Sequence, residues 1–319
     1  MKPLVSIVIV SYNTRQLVKD CIESIYNQVR GIPYEIVVVD NASSDGSQEM
    51  IRQEYPDVIL IANDRNVGFG VASNTGVSKC TGSYLMFLNS DTVLLEDTVS
   101  VLLAFLKGKP NAGIVGPVVL LSDGIPQPKS CGNFPCLRVV CNDAFFLSKL
   151  FGGNKLFSGM HFPSDEINGE ETEVDWISGV CMLMQKSLFL EVGGFDPSFF
   201  MYSEDIDLCW KVKKRGLTVF RLNTTRIIHQ CGASSRTESQ KVKNSILQQR
   251  NLLALLHRNY GSRELFLIRS FMVAGLVIRA IAAFPGFIIG NSEIGLKWNC
   301  SVARLKDLVR DDRSSMSGI

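Results

Sequence analysis

The stretch Tyr84–Leu94, YLMFLNSDTVL, decides how this chain folds. Five residues of core type, Tyr84-Leu85-Met86-Phe87-Leu88, stop at Asn89-Ser90-Asp91, and the chain then turns apolar again. A run that is apolar at every position, and not at every second one, describes a strand buried on both faces. That is the habit of parallel sheets covered by helices. A carboxylate at the tip of such a strand is either part of a solvated turn or an acid held rigidly for a ligand.

The same pattern recurs upstream. Val5–Val10, Glu35–Val39 (EIVVV) and Val58–Ala62 read as strands. Between them Arg15–Gln28 carries Leu17, Val18, Cys21, Ile22 and Ile25 at helical spacing, and Ser47–Glu54 and Phe69–Lys79 read as further helices. This alternation predicts an α/β fold with a mostly parallel central sheet flanked by helices. Ligands of such sheets bind off the carboxyl ends of the strands. Those ends are Ser11-Tyr12-Asn13, Asp40-Asn41-Ala42-Ser43-Ser44-Asp45-Gly46, the polar run from Asn63 to Gly70, and Asn89-Ser90-Asp91. Each alone reads equally as a turn or a helix cap. Four on one edge predict a nucleotide site. Gly68-Phe69-Gly70-Val71-Ala72-Ser73 lacks a third glycine and follows the third strand, so it is not a dinucleotide fingerprint.

The totals agree with an enzyme. The 319 residues are 46% hydrophobic and 20% charged, which excludes disorder, and a net charge of +2 gives no electrostatic case for nucleic acid. The apolar start runs straight into Ser11-Tyr12-Asn13 and reads as a first strand, not a signal peptide. None of the nine cysteines forms a C-x-x-C pair, and Cys131, Cys136 and Cys141, spaced by five, match no zinc pattern; reduced cytosolic thiols are expected.

The second half is less regular. Asp123–Pro128 is a loop, and residues 131–172 predict an irregular, partly helical segment. Val174–Met184 returns to strand, and Gly193-Gly194-Phe195-Asp196-Pro197 is a turn. Ser203 then reads as the cap of a helix with Glu204, Asp205 and Asp207 in its first turn. The helix dipole favours acids there, but three in four positions exceed what capping needs. Thr218–Leu222 is a further strand, and Ile227-Ile228-His229 is another apolar stretch that ends on a polar residue.

In order and spacing, VSIVIVSYN, EIVVVDNASSDGS, NVGFGVASNTG, YLMFLNSDTVL, DWISGVCMLMQKS, GGFDPSFFMYSEDIDLCWKVKKRG and HQCGASS resemble the GT-A-fold glycosyltransferases of family 2, within them the bacterial rhamnosyltransferase-like subgroup. The resemblance covers residues 4–260. It implies a Rossmann-like GT-A catalytic domain over 1–260, with a nucleotide-binding half 1–122 and an acceptor half 123–260, then a helical extension 261–319. Asn89-Ser90-Asp91 stands at the family's D-x-D with Asn in first place. The resemblance therefore implies that Asp91 holds Mg²⁺ or Mn²⁺ against a sugar-nucleotide diphosphate, with Asn89 and Ser90 beside the nucleotide. His229 is implied as a second metal ligand, whose nitrogen tilts the choice toward Mn²⁺. Asp40, with Asn41 next to it, stands where the family contacts the base, and an aspartate can accept the N3–H of uracil or thymine. Ser11, Tyr12 and Asn13 would line base and ribose, and Asn66, Gly68 and Asn74 would lie near ribose and diphosphate. Asp205 is implied as general base, Glu204 as its support or an acceptor contact, and Asp207 as a brace within the helix. Trp176 reads either as a sugar-stacking face or as core.

The implied reaction is one displacement with inversion, moving a sugar from a dTDP- or UDP-sugar, dTDP-rhamnose among them, to a glycan or polyprenyl-linked saccharide in cell-surface polysaccharide synthesis. Residues 265–290, LFLIRSFMVAGLVIRAIAAFPGFIIG, approach membrane length but carry Arg269, Arg279 and Pro285-Gly286. They read as a helix in the membrane interface, with Arg263, Arg269, Arg279 and Lys297 near anionic head groups. That places the protein in the cytoplasm, peripheral to the inner face of the cell membrane. A core helix or a homodimer interface is the other reading. Two other functions stay open. A sugar nucleotidyltransferase needs a glycine-rich basic loop after strand one, where this chain has Ser11-Tyr12-Asn13-Thr14-Arg15. A degenerate membrane-bound scaffold or sugar-binding protein would have lost acids, yet Asp40, Asp91, Glu204 and Asp205 are all present.

Overall fold

The computed structural model describes residues 2–151, 154–162, 169–230, 237–289 and 291–316, with side chains up to 308. The chain begins β1 (Val5–Ser11), α1 (Arg15–Gln28), β2 (Tyr34–Asp40), α2 (Ser47–Glu54), β3 (Ile59–Ala62), α3 (Phe69–Val77) and β4 (Tyr84–Asn89). It continues through β5 (Thr92–Leu94), α4 (Thr98–Gly108), β6 (Ala112–Leu120), β7 (Cys131–Gly132), α5 (Leu137–Ala144), α6 (Leu147–Leu150) and a 3₁₀ turn at Lys155–Phe157. Then follow β8 (Glu171–Val174), β9 (Trp176–Ile177), β10 (Cys181–Gln185), α7 (Lys186–Glu191), α8 (Glu204–Lys214), β11 (Thr218–His229), α9 (Glu238–Asn259), α10 (Ser262–Ile288) and α11 (Ser292–Met316).

The main sheet runs β3-β2-β1-β4-β10-β6-β11-β5, with β8 on the far flank of β11. β1 is parallel to β2 and β4, and β2 to β3, so the first four strands end on one edge, as the alternation predicts. The centre is where apolar faces are doubled. Val5, Ile7 and Ile9 in β1 and Leu85, Met86, Phe87 and Leu88 in β4 are fully buried. Helix α1 covers one face with Val18, Cys21, Ile22 and Ile25, the i, i+3, i+4, i+7 set of an amphipathic helix. Replacing one of these aliphatics with Ala would cost about 2–5 kcal/mol through lost burial and the cavity left behind.

β10 enters this sheet antiparallel to both neighbours, β4 and β6. The single strand expected at Val174–Met184 falls across the end of β8, β9 and β10, with breaks at Asp175 and at residues 178–180. The reason is packing: Gly179 lies against the Phe69 ring, where an added Cβ would come within 3.2 Å of Cε1, and its N–H is drawn to Asp205. Conversely, the two stretches expected at Thr218–Leu222 and Ile227–His229 are one strand, β11, with an irregularity between Leu222 and Arg226 against β6. There Thr225 bonds Thr98 and Asn223 bonds Gly169 and Thr172, so side chains hold the strand together where its ladder slips.

The chain divides into two compact units, Met1–Gly132 with His161–Cys231, and Asn133–Met160 with Gly232–Ile319. The sequence boundary at 260/261 therefore falls inside the second unit. That unit is built from α5, α6 and α9–α11, around a core of Leu253, Leu256, Leu265, Ile268, Leu276 and Leu308. Helix α9 belongs to it because its Arg250 reaches Asp307 and its Gln249 the Arg304 carbonyl, both on α11. Segment 133–160 belongs to it because α5 packs on α10, where the Arg279 guanidinium bonds the Asp143 carbonyl and covers the Phe146 ring. Arg279 is thus directed into the protein and not toward head groups. The last residues of the HQCGASS motif, Cys231–Ser235, lie outside the described residues.

Candidate active site

The first unit's sheet edge carries the chemistry. β4 ends at Asn89, and the Thr92 hydroxyl closes the turn by donating to the Asn89 carbonyl at 2.7 Å. β5 then pairs antiparallel with the end of β11, His229 opposite Thr92, while Gln230 N donates to Asp91 O. This register leaves the His229 ring beside Asp91, with Nε2 2.9 Å from Oδ1. The other ring nitrogen, Nδ1, lies 2.7 Å from Gln127 Oε1. An Nδ1–H donated to that amide oxygen leaves the lone pair on Nε2, the nitrogen facing Asp91. A carboxylate oxygen and an imidazole nitrogen so placed fit two positions around a divalent cation. Among the described residues no group of three or more His, Cys, Asp or Glu could hold a metal.

The loops beside this pair are tied to one another. Thr14 Oγ1 lies 2.9 Å from Ser11 Oγ and 3.1 Å from Ser90 Oγ, joining the end of β1, the start of α1 and the β4–β5 turn. Asn13, in the left-handed region, accepts from Ser44 N at 2.8 Å. Tyr12 beside it is 48% exposed, free to cover a planar ligand. Asp40 is fully buried; its Oδ1 accepts from Ser43 N and Gln48 Nε2, bracing the 41–48 loop. Its Oδ2 is buried and meets no donor among the described residues. A buried acceptor left open in this way costs about 1–3 kcal/mol, which a ligand N–H would offset. Asn41 accepts from Asn63 and donates to the Gly68 carbonyl, so it too links loops.

Two of the expected ligand contacts have other duties. The Asn74 carboxamide both donates to Phe195 O at 2.8 Å and accepts from Phe195 N at 3.1 Å, so it fixes the Gly193–Asp196 turn. Gly68 is required by the protein itself: φ is +85° and a Cβ there would sit 2.1 Å from the Phe200 carbonyl oxygen. Asn66 accepts from Gly68 N and stabilises that turn. Trp176 is 3% exposed and packs edge-on against His161, so it is core and not a stacking face.

The acids of α8 follow a strained entry. Tyr202 and Ser203 both have positive φ, 73° and 72°, and Ser203 makes no side-chain cap. The expected N-cap is therefore replaced by a backbone kink, of the kind that costs about 1–3 kcal/mol and persists where the surroundings over-determine it. The kink sets Glu204 and Asp205 in unlike surroundings. Asp205 Oδ2 accepts from Gly179 N at 3.0 Å and Oδ1 from Ile206 N at 2.8 Å. Glu204 is buried and its Oε2 meets no donor among the described residues. Burial, and then the neighbouring Asp205, push Glu204 up to about 8. Burial also raises Asp205, against the pull of its backbone N–H donors. Asp207 pairs with Lys211 at 2.7 Å, the brace expected of it.

The two clusters meet across the β4–β10 pair. Asn89 N donates to Val180 O, and the preceding residue, Gly179, holds Asp205. Asp91 and Asp205 are thus carried on opposite sides of one strand contact. Three residues of this arrangement carry no signal in the sequence pattern. Thr14 resembles any helix cap, Gln127 lies in a proline-flanked loop, and Gly179 sits inside an apparent strand.

The profile of the family described as Glycosyl transferase family 2 matches residues 6–209. An N-acetylglucosaminyl-diphospho-decaprenol L-rhamnosyltransferase of Mycobacterium tuberculosis is 27% identical over 217 residues, 62% of this chain and 66% of that protein, so the chain spans just under two thirds of the relative's length. The rhamnosyltransferase WbbL of Escherichia coli K12 is 28% identical over 241 residues, 73% of this chain and 86% of the relative. Among solved structures, the mannosyltransferase PcManGT of Pyrobaculum calidifontis, in complex with GDP-Man and Mn²⁺, superposes with a TM-score of 0.60 over 97% of this chain and 87% of that one at 16% identity. At that identity the likeness shows the GT-A fold alone.

Proposed function

The chain belongs to glycosyl transferase family 2, and from that premise we propose that its sheet edge transfers a sugar, with inversion, from a dTDP- or UDP-sugar to a polyprenyl-diphosphate-linked saccharide. The observation that carries this reading is the placement of two unlike acidic sites across one strand contact, Asp91 with His229 on one side and Asp205 on the other. Such a layout serves a reaction in which a leaving group and an attacking hydroxyl occupy different ends of one sugar. The rhamnosyltransferase relatives support the sugar class, and the decaprenol named for the mycobacterial relative supports the acceptor class. An acceptor of that kind places the enzyme at the cytoplasmic face of the cell membrane.

Asp91 and His229 would hold Mg²⁺ or Mn²⁺, which when bound supplies Lewis-acid stabilisation of the departing diphosphate. The imidazole nitrogen favours Mn²⁺. On the donor side, Tyr12 and Asn13 cover base and ribose, and Asp40 Oδ2 is the acceptor for a pyrimidine N3–H. On the acceptor side, two adjacent carboxyl groups in a poorly solvated site do not both ionise easily. Glu204, with no donor on Oε2, keeps the proton. Asp205, with two backbone N–H donors on its oxygens, carries the charge and takes the proton of the attacking hydroxyl. As that O–H bond breaks, the new bond to the anomeric carbon forms and the bond to the diphosphate oxygen breaks.

Nucleotide release by purified protein, across a panel of sugar nucleotides with Mn²⁺ or Mg²⁺, tests this. One dTDP- or UDP-sugar should give metal-dependent release. Asp205→Asn should bind that donor equally well and release nucleotide about 10²–10⁴-fold more slowly. Folded protein that binds no donor in the presence of metal would sink the proposal.

A further inference from the structure

Helix α10 has two unlike faces. Leu265, Arg269, Met272, Leu276, Arg279 and Ala283 follow one another at steps of four and three, and this side packs within the second unit. Both arginines that interrupt the apolar run therefore lie on the protein-facing side, where Arg279 is engaged by Asp143 and Phe146. The opposite side carries Phe266 (70% exposed), Val277, Ile281 (68%), Phe284 and Ile288 (65%), without a charge among them. From Phe266 to Ile288 this stripe is about 33 Å long at 1.5 Å per residue. Phe145, whose ring meets Phe271 of α10 at 5.9 Å, continues the apolar surface toward α6. Just beyond it Leu150 (71% exposed), Phe151 and Leu156 (69%) alternate with the exposed Lys149 and Lys155. A folded protein rarely leaves so many large apolar side chains exposed on one helix without an occupant.

Charge identifies the occupant. Counted on the sequence, the second unit holds 16 Lys and Arg against 7 Asp and Glu, a net +9, while the first holds 17 against 24, a net −7. The apolar stripe thus belongs to the strongly basic unit of a nearly neutral chain. We propose that the exposed face of α10, together with residues 145–151 and 154–156, docks on an anionic lipid bilayer, with the stripe at the acyl boundary and Lys149, Lys155 and Arg263 among head groups. Apolar burial and cationic charge together give the two signals that stable but reversible surface binding needs. The helix does not cross the bilayer, because its arginine-bearing side is covered by protein. A second copy of this chain would set one strongly basic unit against another, which like charge disfavours. This inference does not depend on the sugar-transfer reading.

Co-sedimentation of the full chain, without any sugar nucleotide, tests it. The protein should pellet with vesicles of equal parts phosphatidylcholine and phosphatidylglycerol, stay in solution with phosphatidylcholine alone, and be released by raised salt. Ile281→Glu/Phe284→Glu should weaken binding at least about tenfold, since it puts two carboxylates where apolar side chains would meet acyl chains. Leu150→Glu/Phe151→Glu should weaken it too. The milder pair Ile281→Ser/Ile288→Ser guards against a folding defect, which an unchanged melting curve excludes. No binding to phosphatidylglycerol vesicles, or equal binding by the Glu variants, would overturn the proposal. So would a lipid-free dimer that these variants turn into monomers, because a second copy would then be the occupant.

Discussion

Glu204 and Asp205 are neighbours in sequence and opposites in environment. Asp205 is given two backbone donors, while Glu204 is given none on Oε2. Glu204 titrates near 8 in the folded chain against an ordinary 4.5. A raised carboxyl pKa means the folded state holds the proton more tightly, so stability is lost as pH rises through that window. Glu204→Gln mimics the protonated form and should melt higher than wild type above pH 8, with the gap closing toward pH 4.5; melting curves across that range check it. An equal gap at every pH would mean that the carboxyl is not what titrates. That these two acids are candidates was legible in the sequence, because three acids in four positions exceed capping. How their surroundings differ was not, since the donors come from Gly179, 26 positions away, and from a backbone kink.

At the scale of elements, the site depends on loops pressed together more closely than side chains allow. The turn before α3 and the chain before α8 touch at Gly68 and Phe200, where Phe69 N also donates to Phe200 O. Gly68→Ala adds a Cβ at 2.1 Å from that carbonyl, on backbone already at φ +85°. It should lower stability by at least about 2 kcal/mol, read as a shift in the urea midpoint, because neither the backbone carbonyl nor the dihedral can yield cheaply. A substitution that left the midpoint unchanged would show that the contact is loose in solution. The strands and helices themselves were readable from periodicity, since β1, β2 and β4 are apolar throughout and α1 repeats at helical spacing. The split of residues 174–184 was not, because such a run looks the same whether it is one strand or several, broken around a glycine that must meet a phenylalanine ring.

For the molecule as a whole, the net +2 conceals a division into −7 and +9. Extended fields of one sign act on their own surroundings within a Debye length of about 10 Å at moderate salt. In low salt at pH 7.5 the chain should therefore be retained on both a sulfonate and a quaternary-ammonium resin. A protein with +2 spread evenly would pass through the second. Flow-through from the quaternary-ammonium column would show that the acidic unit presents no coherent face.

By itself the sequence determined the α/β alternation, the common edge of the first four strands, the acids at their tips and the family, because these rest on local periodicity and on motifs in fixed order. Tertiary structure alone decided what brings those residues into one site. The pairing of β5 with the end of β11 places His229 beside Asp91, and segment 133–160 packs with the C-terminal helices. Contacts between residues more than a hundred positions apart leave no periodic trace in the sequence. The two faces of α10 mark the limit: the spacing of Arg269 and Arg279 was there to read, but only the packing of α10 on its neighbours shows which face is left open.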